Sequence, residues 1–84
     1  MLYKVLVLSS AEKDFASISV KDHVRIATAL RALAEYSTTT QDIQKLRLPL
    51  LGYRKRVGVY RILFDIVGAT IVVHAIRHRK DAYR

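Results

Sequence analysis

Three runs of strand-forming residues stand almost end to end in the second half of the chain, and they leave it little choice of fold. Residues 53–57, 59–67 and 70–77 are rich in Val, Ile, Tyr and Phe and are parted only by Gly58 and by Val67-Gly68-Ala69, spacings that fit two antiparallel hairpin turns. The first half has a different texture. Leu-Tyr-Lys-Val-Leu-Val-Leu at 2–8 reads as a short buried strand. Ser9 followed by Glu12 is an N-terminal capping pattern, and Phe15 and Ile18 then supply a short apolar stripe. Ser17-Ile18-Ser19 interrupts that helix, and Ser19 with Asp22 repeats the capping pattern. Val20, Val24, Ala27, Leu30 and Leu33 then fall on one helical face. The second helix is expected over about 20–36, stopped by Ser37-Thr-Thr-Thr-Gln, whose hydroxyls compete for the backbone. A connector holding Pro49 and Gly52 follows. The order β-α-α-β-β-β, with helices and strands segregated, predicts an α+β fold: two N-terminal helices packed on one face of a four-stranded, largely antiparallel twisted sheet.

Nothing in the 84 residues divides the chain, so residues 1–84 are expected to form a single domain. A chain this short buries only about 60–65% of the surface that its unfolded form exposes, enough for one modest core. Large multi-domain enzymes are excluded. Without cysteine there is no disulfide framework and no thiolate zinc site, a composition that fits a reducing cytosol. The longest apolar stretches, Val5–Leu8 and Val57–Tyr60, fall far below the roughly 18 residues of a membrane span. A cytoplasmic protein with no membrane association is expected.

The formal net charge of +8 is unevenly placed. Before residue 45, Lys4, Lys13, Lys21, Arg25 and Arg31 are balanced by Glu12, Asp14, Asp22, Glu35 and Asp42. After it, Lys45, Arg47, Arg54, Lys55, Arg56, Arg61, Arg77, Arg79, Lys80 and Arg84 face only Asp65 and Asp81. A one-sided cationic surface suits a polyanion, because each neutralised phosphate releases condensed counterions. The competing readings are an acidic protein partner and a merely solubilising surface.

Strand periodicity sorts these charges. Arg54 and Arg56 share a face of the first post-connector strand, with Tyr53, Lys55 and Val57 on the other. On the next strand Tyr60, Ile62, Phe64 and Ile66 oppose Val59, Arg61, Leu63 and Asp65, and Arg61 could pair with Asp65. Strict alternation on the last strand puts Ile71, Val73, Ala75 and Arg77 on one side and Val72, His74, Ile76 and His78 on the other. Arginine is the suited phosphate ligand, since its planar fork holds two oxygens and stays charged. It cannot serve as a general base, so proton transfer falls to His78 or to Tyr83, whose pKa neighbouring cations would lower. His74 reads as a half-buried strand residue and His23 as a surface residue of the second helix. His74 and His78 lack the further carboxylate or thiolate ligands of a metal site, and no phosphate-binding glycine loop or nucleophile elbow is present. No cofactor is expected.

The string Tyr53-Arg-Lys-Arg-Val-Gly-Val-Tyr-Arg-Ile-Leu-Phe-Asp-Ile, a Val-rich strand and the ending His78-Arg79-Lys80-Asp81-Ala82-Tyr83-Arg84 closely resemble the RelE/ParE toxin superfamily of type II toxin–antitoxin modules. Length, opening strand, helices and connector fit over the whole chain; residues 53–84 carry the specific match. The resemblance implies a RelE-like fold and an mRNA interferase, an endoribonuclease that cuts messenger RNA in the ribosomal A site and is held in check by a cognate antitoxin. It places Arg54 and Arg56, with Lys55 and Lys80 beside them, against the RNA. Arg61 takes the position of the phosphate-binding arginine, Arg77 or Arg79 that of the late-strand arginine, and Tyr83 that of the terminal catalytic tyrosine, while His78 sits where many short members also carry His-Arg. Lys55 departs from the family pattern, where relatives look apolar.

The implied reaction uses the substrate's 2′-hydroxyl to attack the adjacent phosphorus. It needs a base, an acid and cations for the phosphorane, but neither metal nor water nucleophile. A ParE-type inhibitor of DNA gyrase, with no nuclease activity, is the rival function on the same fold. An inert RNA-binding domain is a third.

Overall fold

In the computed structural model, which describes residues 2–35, 43–45 and 52–80, both hairpins form. The chain runs β1 (Lys4–Val7), α1 (Ser9–Ser17), α2 (Val20–Ala32), a 3-10 turn (Leu33–Glu35), β2 (Ile43–Lys45), β3 (Tyr53–Val57), β4 (Tyr60–Val67) and β5 (Thr70–His78). The strands lie in the order β1-β5-β4-β3-β2, parallel only between β1 and β5. This is the α+β architecture expected from the sequence: two helices on one face of a largely antiparallel sheet. All four expected strands are present. β2 is an addition within the stretch read as connector, and its three residues are too few to show a period; β3 holds it through the register Ile43↔Lys55 and Lys45↔Tyr53.

The core lies between the helices and one sheet face, with Phe64, Ile26, Leu33, Ile62, Ile71 and Val73 its largest fully buried side chains. α2 presents a different face from the one its valines mark. Ile26, Ala29 and Leu33, spaced i, i+3 and i+7, are buried, while Val20 and Val24 are 79% and 73% exposed. Both sets satisfy helical periodicity and share Leu33, which is buried as expected, with Leu30 packed against the core; packing against the sheet turns the helix so that Ile26 and Ala29 replace Val20 and Val24. Capping differs too. Leu8 occupies the α1 cap and no side chain caps it; Ser19 does precede α2, but its hydroxyl donates to the Asp22 carboxylate at 3.3 Å instead of accepting from a backbone N–H of the first turn. α2 closes at Ala32 and tightens into the 3-10 turn. His23 is half-buried, not a surface residue: its ring stacks on Phe15 at 4.4 Å and Nε2 donates to the Phe15 carbonyl at 3.0 Å, joining the helices.

Two irregularities aim the end of β5. The first is a β-bulge: Leu63 pairs with Ala75 but Phe64 pairs with Val73, so His74 is the extra residue. Strict alternation therefore fails on β5. Ile71 and Val73 face the helices, and beyond the bulge so does Ile76, while Arg77 moves onto the open face opposite Arg61.

The second is α1 lying along the β5 edge. β1 stops at Val7, leaving the remaining β5 backbone groups on that side without a strand partner. The Leu8 N–H bonds to the Val73 carbonyl, the Ser10 hydroxyl donates to the His74 carbonyl at 2.8 Å, and the Ile76 N–H donates to Asp14 Oδ2 at 2.9 Å. Four helical residues rise about 6 Å and two strand residues about 6.6 Å, so Ser10 and Asp14 match alternate β5 positions.

Candidate functional site

The register of β3, β4 and β5 brings Arg56, Arg61 and Arg77 into one transverse row, Arg56↔Arg61 and Arg61↔Arg77. Directly paired residues share a face with Cβ atoms about 5 Å apart, and like charges so placed repel. Arg54 shares this face two residues along β3. The open side of the sheet is thus cationic across three adjacent strands.

Arg61, at the centre of the row, and Arg77, at its β5 end, are each held by partners within the fold. Arg61 donates through one guanidinium nitrogen to the Gly58 carbonyl at 3.0 Å and the Tyr60 carbonyl at 2.9 Å, folding back on the β3–β4 turn. It does not pair with Asp65, whose carboxylate lies 3.8 Å from His74 Nε2 instead. Arg77 donates to Asp14 Oδ1 at 2.9 Å, so one carboxylate serves both the Ile76 N–H and the Arg77 guanidinium. The Asp14 side chain is 18% exposed and that of Arg77 46%. A well-covered acid thereby orients an open cation.

Beside Arg77 the sheet ends in a cavity of about 290 Å³. Asp14, Ser17 and Ile18 form one wall; Tyr60, Ile76, Arg77 and His78 form the other. Tyr60 and His78 are cross-strand partners whose rings meet edge to face at 5.8 Å. The Lys80 N–H donates to His78 Nδ1 at 3.3 Å, so the neutral ring carries its proton on Nε2.

Of the candidate residues, Arg54, Arg56, Arg61 and Arg77 are brought together on the open face. Lys55 is half-buried on the helix side of β3, where it pairs with Ile62. His78 stands at the cavity. Arg79 and Lys80 follow β5 in a turn, and the Arg79 N–H bonds to the Val59 carbonyl at 2.7 Å. Between the two candidates for the late-strand arginine, only Arg77 lies in the row. Tyr83 is outside the described residues. His74 is half-buried, as expected. Asp14, Ser17 and Tyr60 had no sequence signal as site residues: the two helix positions are ordinary polar residues until the fold sets them against β5. Among the described residues no three His, Asp or Glu side chains cluster as a metal site would require, and no helix is long and apolar enough to cross a membrane.

Comparison with known proteins places this geometry in a family. The family model of the ParE toxin of type II toxin–antitoxin systems, parDE, matches residues 5–83. Among solved structures, the RelB–RelE antitoxin–toxin complex from Methanococcus jannaschii is 28% identical with a TM-score of 0.76, covering 93% of this chain and 94% of that one. The toxin–antitoxin complex RelBE2 from Mycobacterium tuberculosis is 26% identical with a TM-score of 0.68, covering 94% and 100%. The archaeal RelE–RelB complex from Pyrococcus horikoshii OT3, at 23% identity and a TM-score of 0.78 over 98% and 100%, shares the fold. No curated protein matches.

Proposed function

The chain belongs to the ParE toxin family of type II toxin–antitoxin systems, and we propose that it acts within that family as a RelE-type endoribonuclease on messenger RNA in the ribosomal A site. The observation that carries this is the row Arg56–Arg61–Arg77 across three strands. Three guanidinium side chains in transverse register on one open face suit a polyanion, and a phosphodiester chain supplies charges at successive positions. A gyrase-binding surface needs no such clamp beside a histidine.

In the proposed reaction the 2′-oxygen bonds to phosphorus while the bond from phosphorus to the 5′-oxygen breaks, leaving a 2′,3′-cyclic phosphate and a 5′-hydroxyl. The substrate supplies the nucleophile, so no metal or cofactor takes part. Arg61 and Arg77 stabilise the phosphorane, with forks that match paired oxygens. Tyr83 takes the 2′-proton, and His78 exchanges a proton through Nε2. Arg54 and Arg56 hold the strand, while Lys55, Arg79 and Lys80 add charge around it. A cognate antitoxin, like those in the complexes of the M. jannaschii and M. tuberculosis relatives, would cover the row with acidic groups. The working site would be the cytoplasm.

Induction of the protein with mapping of messenger RNA ends, alongside a supercoiling assay with purified gyrase, tests this. New ends at ribosomal A-site positions are expected, and Arg61→Ala or Tyr83→Phe should abolish them while leaving a folded domain. Loss of supercoiling with intact messages would establish the gyrase-inhibiting alternative, which the ParE family match favours.

A further inference from the structure

We propose that the cavity between α1 and the end of β5 is a nucleobase pocket, which seats the base of a nucleotide whose phosphate lies on the arginine row and prefers a base with an exocyclic amino group. The proposal rests on the ribonuclease reading and adds where the substrate's sequence is read.

Arg77 links the two parts, since it belongs to the row on the open face and also to the cavity wall. A volume of about 290 Å³ sits at the lower end for ligand pockets, ~300 Å³ and above, and suits a group the size of one base. Its chemistry suits a base as well. Tyr60 and His78 give aromatic surface, and single-stranded RNA is held by stacking its splayed bases on such rings. Ile76 adds an apolar wall. Asp14 and Ser17 add polar atoms from the helix, which are what distinguishes one base from another.

Asp14 sets the preference. A carboxylate has about four acceptor positions, and the Ile76 N–H and the Arg77 guanidinium occupy one on each oxygen. The remaining positions accept an amino N–H, as a carboxylate accepts from cytosine N4, and repel a carbonyl such as uracil O4. The Ser17 hydroxyl already donates to the Asp14 backbone carbonyl at 2.8 Å, so its oxygen is left as a further acceptor. Both groups favour cytosine over uracil, two bases of equal size.

The test uses the purified full-length chain and 2′-deoxy-blocked pentanucleotides that are abasic throughout or carry one central base. The abasic strand should bind through the arginines. One cytosine should strengthen binding about fivefold or more, the low end for a base stacked on an aromatic ring, and shift the backbone NMR signals of Ser17, Ile76 and His78. Uracil should bind several-fold more weakly than cytosine, and Asp14→Asn should erase that difference, because the amide can donate to O4 while still accepting from Ile76. Ser17→Leu, which fills the cavity, should return the cytosine strand to the abasic affinity. Tyr60→Leu should do the same if Ser17→Leu fails to fold, as thermal melting will show. Abasic binding intact with no gain from any base, or shifts confined to the open sheet face, would overturn the pocket and leave the ribonuclease reading standing. No binding of any strand would likewise overturn the pocket, while the ribonuclease reading falls only if induction leaves messenger RNA ends unchanged.

Discussion

At the scale of single residues, the site depends on side chains whose environment cannot be read from neighbours in sequence. Arg61 shows this. Periodicity offers Asp65 on the same face as its partner, but strand twist and the bulge at His74 give Asp65 to the histidine and leave Arg61 to the turn carbonyls. Gly52 is a second case, a residue with no side chain that holds the entry to β3. Its φ is +101°, and an added Cβ would come within 2.9 Å of the Phe64 carbonyl oxygen and still closer to the Asp65 carboxylate. Gly68, with φ +60°, has nothing within 4 Å of the same position. Gly68→Ala should therefore cost only the left-handed backbone penalty of about 1–2 kcal/mol. Gly52→Ala carries a penalty of that kind plus displacement of backbone, and should cost at least about 1 kcal/mol more. Urea titration of both variants measures the difference; equal midpoints would mean that the Gly52 contact yields without cost.

At the scale of elements, the fold was legible where the period was unbroken and illegible where two phases competed. The three C-terminal strands and the two helices stand out because each spans enough residues to show its repeat. β2 does not, having three residues at a sheet edge. On α2 the valine set and the isoleucine set have equally good spacing, and only the tertiary partner decides between them. On β5 the bulge leaves no mark in composition, although it moves Arg77 into the row and Ile76 into the core. The candidate arginines were therefore found as residues, and their alignment was not. The helix phase has a direct test. Ile26→Ala should lose about 2–5 kcal/mol through the cavity it leaves, whereas Val24→Ala should stay within about 0.5 kcal/mol. For a domain of this size that separates melting temperatures by roughly 6 °C or more. Equal losses would return the buried face of α2 to the valines.

At the scale of the whole molecule, the charge asymmetry of the sequence becomes a spatial one. The neutral first half builds the helices, their side of the core and the cover over the β5 edge, and from it Asp14 is tied to the arginine row. The cationic half builds the three central strands of the sheet, whose open face the helices leave uncovered. A diffuse +8 and an aligned row predict different salt behaviour for RNA binding. With discrete phosphate contacts, each cation that neutralises a phosphate on a single strand contributes about 0.7 to the slope of log affinity against log salt. Replacing Arg56, Arg61 or Arg77 by Ala should each lower the slope by about that amount, measured by anisotropy on a cleavage-blocked RNA. Arg31→Ala removes the same charge from the exposed end of α2, far from the row in sequence and outside the sheet, and should leave the slope unchanged. If Arg31 lowers it as much as Arg61 does, the charge acts as a general field and the row has no special place in binding. If only the row residues lower it, the polyanion is held on three adjacent strands, where the hairpin register sets the spacing of its phosphates.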